Sequence, residues 1–485
     1  MTLHRRSSRP AAVVALATGL CLVAGCGTAA KKTDSAASGG TQTTTAATGT
    51  SSAPAAAPAG QKVKLSVVSL LPGSTKEAFK AFNDQVAIFE QAHPDIDVQP
   101  HEYEWKGTTF AAQLAGGTLP TVFEVPFTDA RTLIGNKQVA DLTAQVRQLP
   151  YAGTFNPSVL AQGQDSKGDI YALPKGAYGV GLQYNRALFT KAGLDPDKPP
   201  TTWDEVRADA RAIASKTHQA GFALMGKSNT GGWNLAMLTY ALGGRLETVD
   251  SSGKATVTLA NPGTKAALQW LKQLRWSDNA MGSNFLLDWG SMNQAFAAGK
   301  VGMYLSGSDV YTNLVQANHV KPETYGLTVL PMSDSPDAGL LGGGTEVVVK
   351  ASATDAEKAA AVKWMDFYYL SKLTDQQAAV RDAKTLVASK QPVGTPQLPL
   401  FDKATLDTYM SWISSYVDVP LGQMKGFTDN IFNQKLQPEP PVSTQALYGV
   451  LDTVVQKVLT DKGTNIDQLL AKTTPIAQQA VDKAS

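Results

Sequence analysis

Apolar positions along the chain follow two different spacings, and the two spacings alternate. Every second residue is apolar over 63–67, which is typical of a half-buried strand. From residue 75 to Pro94 the apolar side chains recur every three or four residues, which predicts an amphipathic helix that ends at the proline. The same pair of patterns returns over 98–117 and begins again at 121. Strands and helices that alternate in this way predict parallel sheets covered by helices.

A second alternating set begins further along the chain. Residues 179–184 have the pattern of a strand and residues 186–192 that of a helix. Thr202 and Glu205 have the spacing of a capping box, in which each side chain bonds to the other residue's backbone at the start of a helix. Beyond about residue 353 the pattern is mostly helical. Two such sets in a chain of 485 residues predict two sizeable lobes.

The N-terminus has the pattern of an export signal. Arg5, Arg6 and Arg9 precede an apolar run over 11–20, which is too short to span a membrane. We therefore predict a signal peptide over residues 1–25 and exclude it from the fold. The arginine pair leaves twin-arginine export open as an alternative to the general secretory route.

The residues that end this signal resemble the lipobox of bacterial lipoproteins. An apolar residue and two small residues stand directly before Cys26. The resemblance implies that Cys26 becomes the new N-terminus and carries a diacylglycerol, which would anchor the protein to the cell membrane. An ordinary signal peptide that happens to contain cysteine is the alternative.

Residues 26–61 separate this anchor from the folded body. They are almost entirely Ala, Thr, Ser, Gly and Pro, with no large side chain to bury. Such a segment cannot offset the entropy lost on ordering, so we predict a disordered tether.

The net charge and the cysteine content argue against a nucleic-acid partner and against disulfide bonds in the folded body. The formal net charge is +2, and removal of the signal arginines would bring it to about −1, which gives no basic surface for a nucleic acid. The chain has two cysteines, Cys21 inside the signal and Cys26 at its end. The folded body therefore contains no cysteine, and its stability has to come from its core.

Four stretches of the body resemble bacterial extracellular solute-binding proteins of the maltose-binding type, family 1. They are residues 171–174 (YALP), 184–194 (YNRALFTKAGL), 200–205 (PTTWDE) and 296–303 (FAAGKVGM). Their order and spacing make the combination more specific than any one of them.

The resemblance implies an α/β, two-lobed periplasmic-binding-protein-like fold of type II, whose lobes are joined by hinge segments. It places lobe 1 in residues 62–175 with 331–372 and lobe 2 in 176–330 with 373–485. The crossings are expected near 174–181 and 330–345, where Gly342 to Gly344 supply backbone freedom. The lobes would close on the ligand by a hinge motion.

The function implied by the resemblance is that of an extracytoplasmic substrate-binding component of an ABC importer. It would deliver a mono- to oligosaccharide to membrane permease subunits, work as a monomer and need no cofactor. A secreted glycoside hydrolase, a binding protein for a peptide or polyamine, and a ligand sensor are the alternatives.

The ligand-binding residues expected by similarity combine aromatic surfaces for sugar rings with carboxylates for hydroxyl groups. They lie in loops at strand ends and in the crossings. They are Glu124, Phe127, Tyr178, Trp233, Asp288, Trp289, Asp309 and Gly344.

Two departures from the family pattern bear on the ligand. Thr121 stands where the family usually has aspartate, and Ser308 and Asp309 follow Gly307 where the maltose-binding type has an aromatic stacking residue. The exchange of an aromatic ring for a carboxylate predicts a ligand that is smaller or more polar than a long oligosaccharide.

One apparent motif is interpreted as structural. Residues 221–228 match the P-loop pattern of nucleotide-binding proteins, but the interior of the match is Phe, Ala, Leu and Met, which predicts a buried strand rather than a phosphate-binding loop. The histidines lack the spacing of metal ligands, and no catalytic constellation is apparent, so we predict neither a metal site nor an enzyme.

Overall fold

The structure is a computed structural model that describes residues 62–74, 76–250 and 253–484. The predicted signal peptide, the lipidated Cys26 and the predicted tether up to residue 61 lie outside the described residues and stay predictions. In the part of the chain that is described, no helix combines the length and the apolar character needed to cross a membrane.

Strands and helices alternate through most of the described chain. The strands are β1 (Val63–Val68), β2 (Ile96–His101), β3 (Val122–Pro126), β4 (Ala172–Asn185), β5 (Ala220–Phe222), β6 (Glu247–Val249), β7 (Ala255–Val257), β8 (Val301–Gly307), β9 (Tyr325–Val329), β10 (Leu340–Val349) and β11 (Leu436–Pro438). The helices are α1 (Lys76–Ala92), α2 (Gly107–Ala115), α3 (Phe127–Gly135), α4 (Thr143–Val146), α5 (Pro157–Leu160), α6 (Arg186–Ala192), α7 (Trp203–Thr217), α8 (Thr230–Ala241), α9 (Pro262–Lys272), α10 (Trp289–Ala297), α11 (Val310–Gln316), α12 (Asp355–Met365), α13 (Ser371–Thr374), α14 (Gln376–Ala388), α15 (Lys403–Ile413), α16 (Lys425–Thr428), α17 (Thr444–Thr460) and α18 (Ile466–Ala484).

One mixed sheet runs through the molecule in the order β2-β1-β3-β10-β4-β8-β5. β1 pairs in parallel with β2 and β3, whereas β10 is antiparallel to both β3 and β4. On the other side of β4, β8 is antiparallel to it and parallel to β5. The sheet therefore has two halves, and the long strand β4 belongs to both.

The two halves use different parts of β4. Its first part, 172–179, pairs with β10, and its second part, 180–185, pairs with β8 and β9. The register between β4 and β10 shifts between Thr345 and Glu346, next to Pro174. Proline cannot donate a ladder hydrogen bond, so an irregularity at this point is expected.

Much of the predicted secondary structure is confirmed. α1 spans Lys76–Ala92 and buries Phe82, Val86 and Phe89 on one face. The capping box is formed, since Glu205 N–H donates to Thr202 Oγ1 and Thr202 N–H donates to Glu205 Oε2.

The strand expected over 179–184 is longer than its pattern suggested. It extends back to Ala172 because β10 pairs with the residues around Pro174 and Gly176, which alone would interrupt a strand.

Helices pack on both faces of the sheet and enclose the core. Trp364, in α12, is fully buried and stacks on Tyr368 with ring centroids 5.0 Å apart. Trp270, in α9, is also buried, with Trp203 packed edge-on against it. Trp364 and Trp270 are thus part of the core, and Trp203 is partly buried against it.

The part of the chain that follows residue 370 contacts both parts of the sheet assembly. In the segment between α14 and α15, Phe401 stacks on Phe155, whereas the Thr395 and Thr312 hydroxyls are hydrogen-bonded at 3.1 Å. α17 packs along α8 and α18. The lobe boundaries given above stay predictions, because this part of the chain touches residues assigned to either lobe.

Glu247 gives the fold a pH dependence that can be measured. Its side chain is 4% exposed, and burial raises its pKa from 4.5 to about 7 although Val442 N–H donates to Oε1. The folded protein thus holds this proton more tightly than the unfolded chain, so the free energy of unfolding falls as pH rises from about 4.5 to about 7. A shift of this size corresponds to something on the order of 3 kcal/mol.

We expect Glu247→Gln to remove the part of this pH dependence that comes from ionisation of Glu247. Glutamine keeps the acceptor for Val442 N–H and carries no charge. The free energy of unfolding, measured by urea denaturation between pH 5 and 8, should fall less with pH than in the wild type. Glu323→Gln, at an exposed position, serves as the control. An unchanged pH slope in Glu247→Gln would contradict the assignment.

Candidate functional site

The carboxyl ends of strands from both halves of the sheet meet at one level of the molecule. β1, β2, β3 and the first part of β4 run in the same direction and end at this level. β5 and β8 approach it from the other side, because β8 is antiparallel to β4. In open α/β sheets, ligands bind outside the carboxyl ends of the strands. The loops at this level, with the crossing strands between them, form the candidate site.

Four residues form a row across the crossing strands at this level. Tyr178 in β4 is paired with Gly343 in β10. Gly342 is paired with Pro438, so the next residue, Glu439, follows beside Gly343. Asp309 lies two residues beyond Gly307, which is paired with Val180, and so falls opposite Tyr178. We call Glu439, Gly343, Tyr178 and Asp309 the floor row.

The Tyr178 side chain lies over two glycines of the neighbouring strands. A Cβ atom on Gly343 would be 2.4 Å from the Tyr178 hydroxyl oxygen, and one on Gly307 would be 3.1 Å from Tyr178 Cδ2 and 2.5 Å from Asp309 Oδ1. A side chain at either position would collide with the tyrosine ring or the carboxylate. Glycine at 307 and 343 therefore makes room for Tyr178 to lie along the floor row, with the Asp309 carboxylate beside Gly307.

Trp233 stands over the floor row from the start of α8. Its ring is edge-on to Tyr178 with centroids 6.2 Å apart. The Trp233 indole nitrogen is buried and makes no hydrogen bond of normal geometry with a described residue, although it is close enough to the Tyr178 hydroxyl to oppose the rise in the pKa of Tyr178. A buried N–H without a well-formed hydrogen bond costs free energy, so a ligand oxygen that accepts from it would be stabilising.

Asp452 in α17 fixes the turn that carries Trp233. Its carboxylate accepts hydrogen bonds from Asn229 N–H at 2.8 Å and Gly232 N–H at 2.9 Å. The N–H groups at the start of a helix lack partners within the helix, and an aspartate from another helix satisfies them here. Gly232 also lets the helices approach closely, because a Cβ there would be 2.4 Å from Tyr448 Cα.

Both carboxylates of the floor row are held in surroundings that disfavour charge. Burial raises the pKa of Glu439 to about 7, while Tyr448 donates a hydrogen bond to Oε1 at 3.2 Å. Asp309 is still reached by water, but the protein around it raises the pKa of its carboxyl group by desolvation. Burial raises the pKa of Tyr178 well above 10, and the nearby charges of Glu439 and Asp309 add to that rise. Tyr178 is therefore a neutral hydrogen-bonding group.

The first half of the sheet contributes an aromatic residue and a carboxylate at the same level. Trp105, in the loop after β2, donates its indole N–H to Asp129 Oδ2 at 3.0 Å. Burial raises the pKa of Asp129, which lies in the first turn of α3. The sequence left Trp105 unassigned, and neither Asp129 nor Glu439 was expected at the site.

Of the residues expected to bind ligand, Tyr178, Trp233 and Asp309 come together at the site. Phe127 is 4% exposed and packs against Gly344, where a Cβ would be 2.6 Å from Phe127 Cζ. Because successive residues of a strand point to opposite faces, Gly344 faces away from the side that Gly343 shares with Tyr178.

Glu124, Asp288 and Trp289 have other surroundings. Glu124 binds Lys175 Nζ at 2.8 Å and accepts a hydrogen bond from Tyr369. Asp288 caps α10 through Ser291, and these hydrogen bonds together with Lys227 lower its pKa to about 2. Trp289 follows it on the surface and is 38% exposed. Ligand roles for these three residues stay predictions.

The P-loop match has a packing explanation. Gly221 precedes Phe222 in β5, and a Cβ on it would overlap the backbone of Ala210. A Cβ on Gly226 would be 2.1 Å from Phe285 O. Both glycines are therefore needed for close packing, and the loop does not form an open cradle for phosphate.

A separate cavity of about 570 Å³ lies beside the crossing strands. Its lining includes Lys175, Leu398, Phe427 and Ile431. Ile431 and Phe427 face Gly179, the neighbour of Tyr178, which places this cavity on the opposite face of β4 from the floor row. None of the residues expected to bind ligand lines it.

The fold and the site define a class of protein, the two-lobed solute-binding proteins with a cleft between α/β lobes. A family model described as bacterial extracellular solute-binding protein matches residues 84–391. The chain belongs to that family, whose members bind solutes.

Solved structures share the fold over nearly their whole length. The cyclic alpha-maltosyl-1,6-maltose binding protein from Arthrobacter globiformis is 20% identical, with a TM-score of 0.65 over 87% of this chain and 99% of that one. UgpB from Mycobacterium tuberculosis, solved in complex with glycerophosphocholine, is 16% identical, with a TM-score of 0.62 over 87% and 99%. At this identity the likeness establishes the fold, which is that of two-lobed periplasmic binding proteins.

Curated relatives match a shorter region. The sn-glycerol-3-phosphate-binding periplasmic protein UgpB of Yersinia pestis bv. Antiqua (strain Antiqua) is 28% identical over 142 residues, which are 28% of this chain and 32% of that protein. UgpB of Salmonella typhimurium is 27% identical over 171 residues, or 34% and 39%. The chain thus aligns with between about a third and two fifths of the length of these relatives.

Gly343→Ala tests whether Tyr178 lies in the ligand site. The added Cβ would displace the Tyr178 hydroxyl, and overpacking of this kind costs about 1–3 kcal/mol. We expect the folded state to persist while solute affinity falls at least tenfold, as measured by isothermal titration calorimetry. Gly422→Ala, where an added Cβ meets no atom within 4 Å, is the control. Wild-type affinity in Gly343→Ala would show that the ligand does not depend on Tyr178.

Proposed function

We propose that the chain is the substrate-binding component of an ABC importer and captures a carbohydrate between its two lobes. The observation that carries the proposal is the convergence of Tyr178, Trp233 and Asp309 on the crossing strands, where strand ends from both halves of the sheet meet. Aromatic rings next to carboxylates suit a sugar, because its C–H faces pack on rings and its hydroxyl groups bond to the oxygens.

The comparisons support a carbohydrate or a related polyol as the solute. GacH of Streptomyces glaucescens, solved in complex with acarbose, is 21% identical, with a TM-score of 0.63 over 87% of this chain and 99% of that chain. The curated relatives are named for sn-glycerol-3-phosphate. The proposed chain of events is that solute enters an open cleft, closure brings the two walls onto it, and the closed form docks on permease subunits as a monomer.

We propose closure because the candidate ligand contacts are divided between the two halves of the sheet. Trp105 and Asp129 belong to one half of the sheet, and Trp233 and Asp309 belong to the other. A solute that touches both walls has more contacts in the closed form than in the open form, and this difference in affinity is what shifts the equilibrium.

A binding screen tests this function. We expect one class among mono-, di- and oligosaccharides to raise the melting temperature of residues 62–485, because ligand that binds only the folded state stabilises it. Small-angle X-ray scattering should show a smaller radius of gyration with that solute. Hydrolysis of chromogenic glycosides would support the hydrolase alternative instead, and a shift with peptides or polyamines alone would change the class of solute.

Lipid anchoring is a further part of the proposal and rests on the sequence around Cys26. We expect Cys26→Ser to release the protein from the membrane fraction into the soluble extracytoplasmic fraction, because the thiol that carries the diacylglycerol is lost. Cys21→Ser, inside the predicted signal, should leave the protein in the membrane fraction. Release of neither variant would contradict Cys26 as the anchor.

A further inference from the structure

The floor row has a carboxylate at each end and a neutral aromatic residue between them. Glu439 follows β11 and Asp309 follows β8, and Tyr178 lies between them with Gly343 leaving its ring uncovered by a side chain. Neighbouring strands are about 4.8 Å apart, so the row extends over roughly 14 Å.

Neither carboxylate of the floor row has an ion pair with any described residue. Glu439 is half-buried, whereas Asp309 is exposed to solvent. The basic residues on neighbouring segments are used elsewhere, since Lys175 pairs with Glu124 and Lys227 pairs with Asp288. A half-buried carboxylate is costly to charge unless it is paired, so a cation supplied by the ligand would stabilise Glu439, and Asp309 at the other end of the row is open to the same kind of partner.

The aromatic groups around the row favour the same kind of ligand. Trp233 and Tyr178 are edge-on to each other, and Tyr448 donates a hydrogen bond to Glu439. Cations are attracted to the faces of such rings. The Trp233 indole N–H makes no hydrogen bond of normal geometry and is a donor only, so it suits a hydroxyl oxygen rather than a second cation.

From this arrangement we infer that the solute carries a positively charged nitrogen on a polyhydroxylated skeleton, as an amino sugar does. The nitrogen lies between Tyr178 and one of the two carboxylates, and the hydroxyl groups bond to Trp233 and the other carboxylate. The inference rests on the proposed binding function and adds to it the charge of the solute. A phosphate group, by contrast, would lie against two carboxylates, whose negative charge would repel it.

Matched pairs of probes test the inference on the soluble body, residues 62–485, by calorimetry at pH 7.5. The first pair is the β-1,4-linked disaccharide of glucosamine and cellobiose, which has hydroxyl groups in place of the ammonium groups. The second pair is glucosamine and glucose, which tests a single ring. We expect the cationic member of at least one pair to bind at least tenfold more tightly than its partner, and that pair identifies the size of the solute.

Two near-isosteric variants assign the preference to the floor row. Asp309→Asn and Glu439→Gln remove charge and keep size. We therefore expect at least one of them to lower the affinity for the cationic probe at least tenfold and the affinity for the uncharged probe less than threefold. Glu323→Gln, at an exposed position outside the floor row, should change neither. Circular dichroism and thermal melting establish that each variant is folded.

Three results would overturn the inference. They are equal or tighter binding of cellobiose and glucose than of their amino-sugar partners, a cation preference that survives in both floor-row variants, and no binding of any cationic probe. In the first two cases the proposed solute-binding function stands, since a solute is still bound. Failure of every sugar in the wider screen as well would remove the proposed function itself.

Discussion

The hydrogen-bonded pairing of β4 with β10 is the constraint on which the site depends. These strands pass between the two halves of the sheet. Their register therefore determines which residues of β4 and β10 lie next to each other in the cleft. The pairing of Gly343 with Tyr178 leaves space for the tyrosine, and the pairings of the next strands on each side bring Glu439 and Asp309 to the same level. A shift by one residue would turn Tyr178 to the opposite face of the sheet.

Packing in the second half of the sheet serves the same site. Asp452 on α17 satisfies the first N–H groups of α8 and so sets the position from which Trp233 reaches Tyr178. Close approach of these helices requires Gly232, because any side chain would meet the backbone of Tyr448. The stability of the α8–α17 contact and the geometry of the site are therefore not independent.

Local patterns in the sequence predicted the elements well, and they predicted the site in part. The spacing that buries Phe82, Val86 and Phe89 and the capping pair at Thr202 are local, so they can be seen without a fold. Tyr178, Trp233 and Asp309 were expected by similarity to a family, and the fold brings them together.

Glu439 could not be expected from the sequence. It reaches the floor row only because β11 pairs with β10, a contact between segments far apart in the chain. The signal that could have found it is a glutamate between two prolines, which is too common to single out.

The continuous sheet also determines how far each part of the site travels in the proposed closure. If the crossing strands are the pivot of that closure, Tyr178 and Gly343, which lie on them, would move least. Trp289 and the Lys227–Asp288 pair lie outside the crossing strands, beside the starts of α8 and α10, where the same rotation would give a longer path. A solute on the floor row would thus meet nearly the same surface in both states and be recognised on entry, whereas groups at the rim would report on its size only after the lobes had moved.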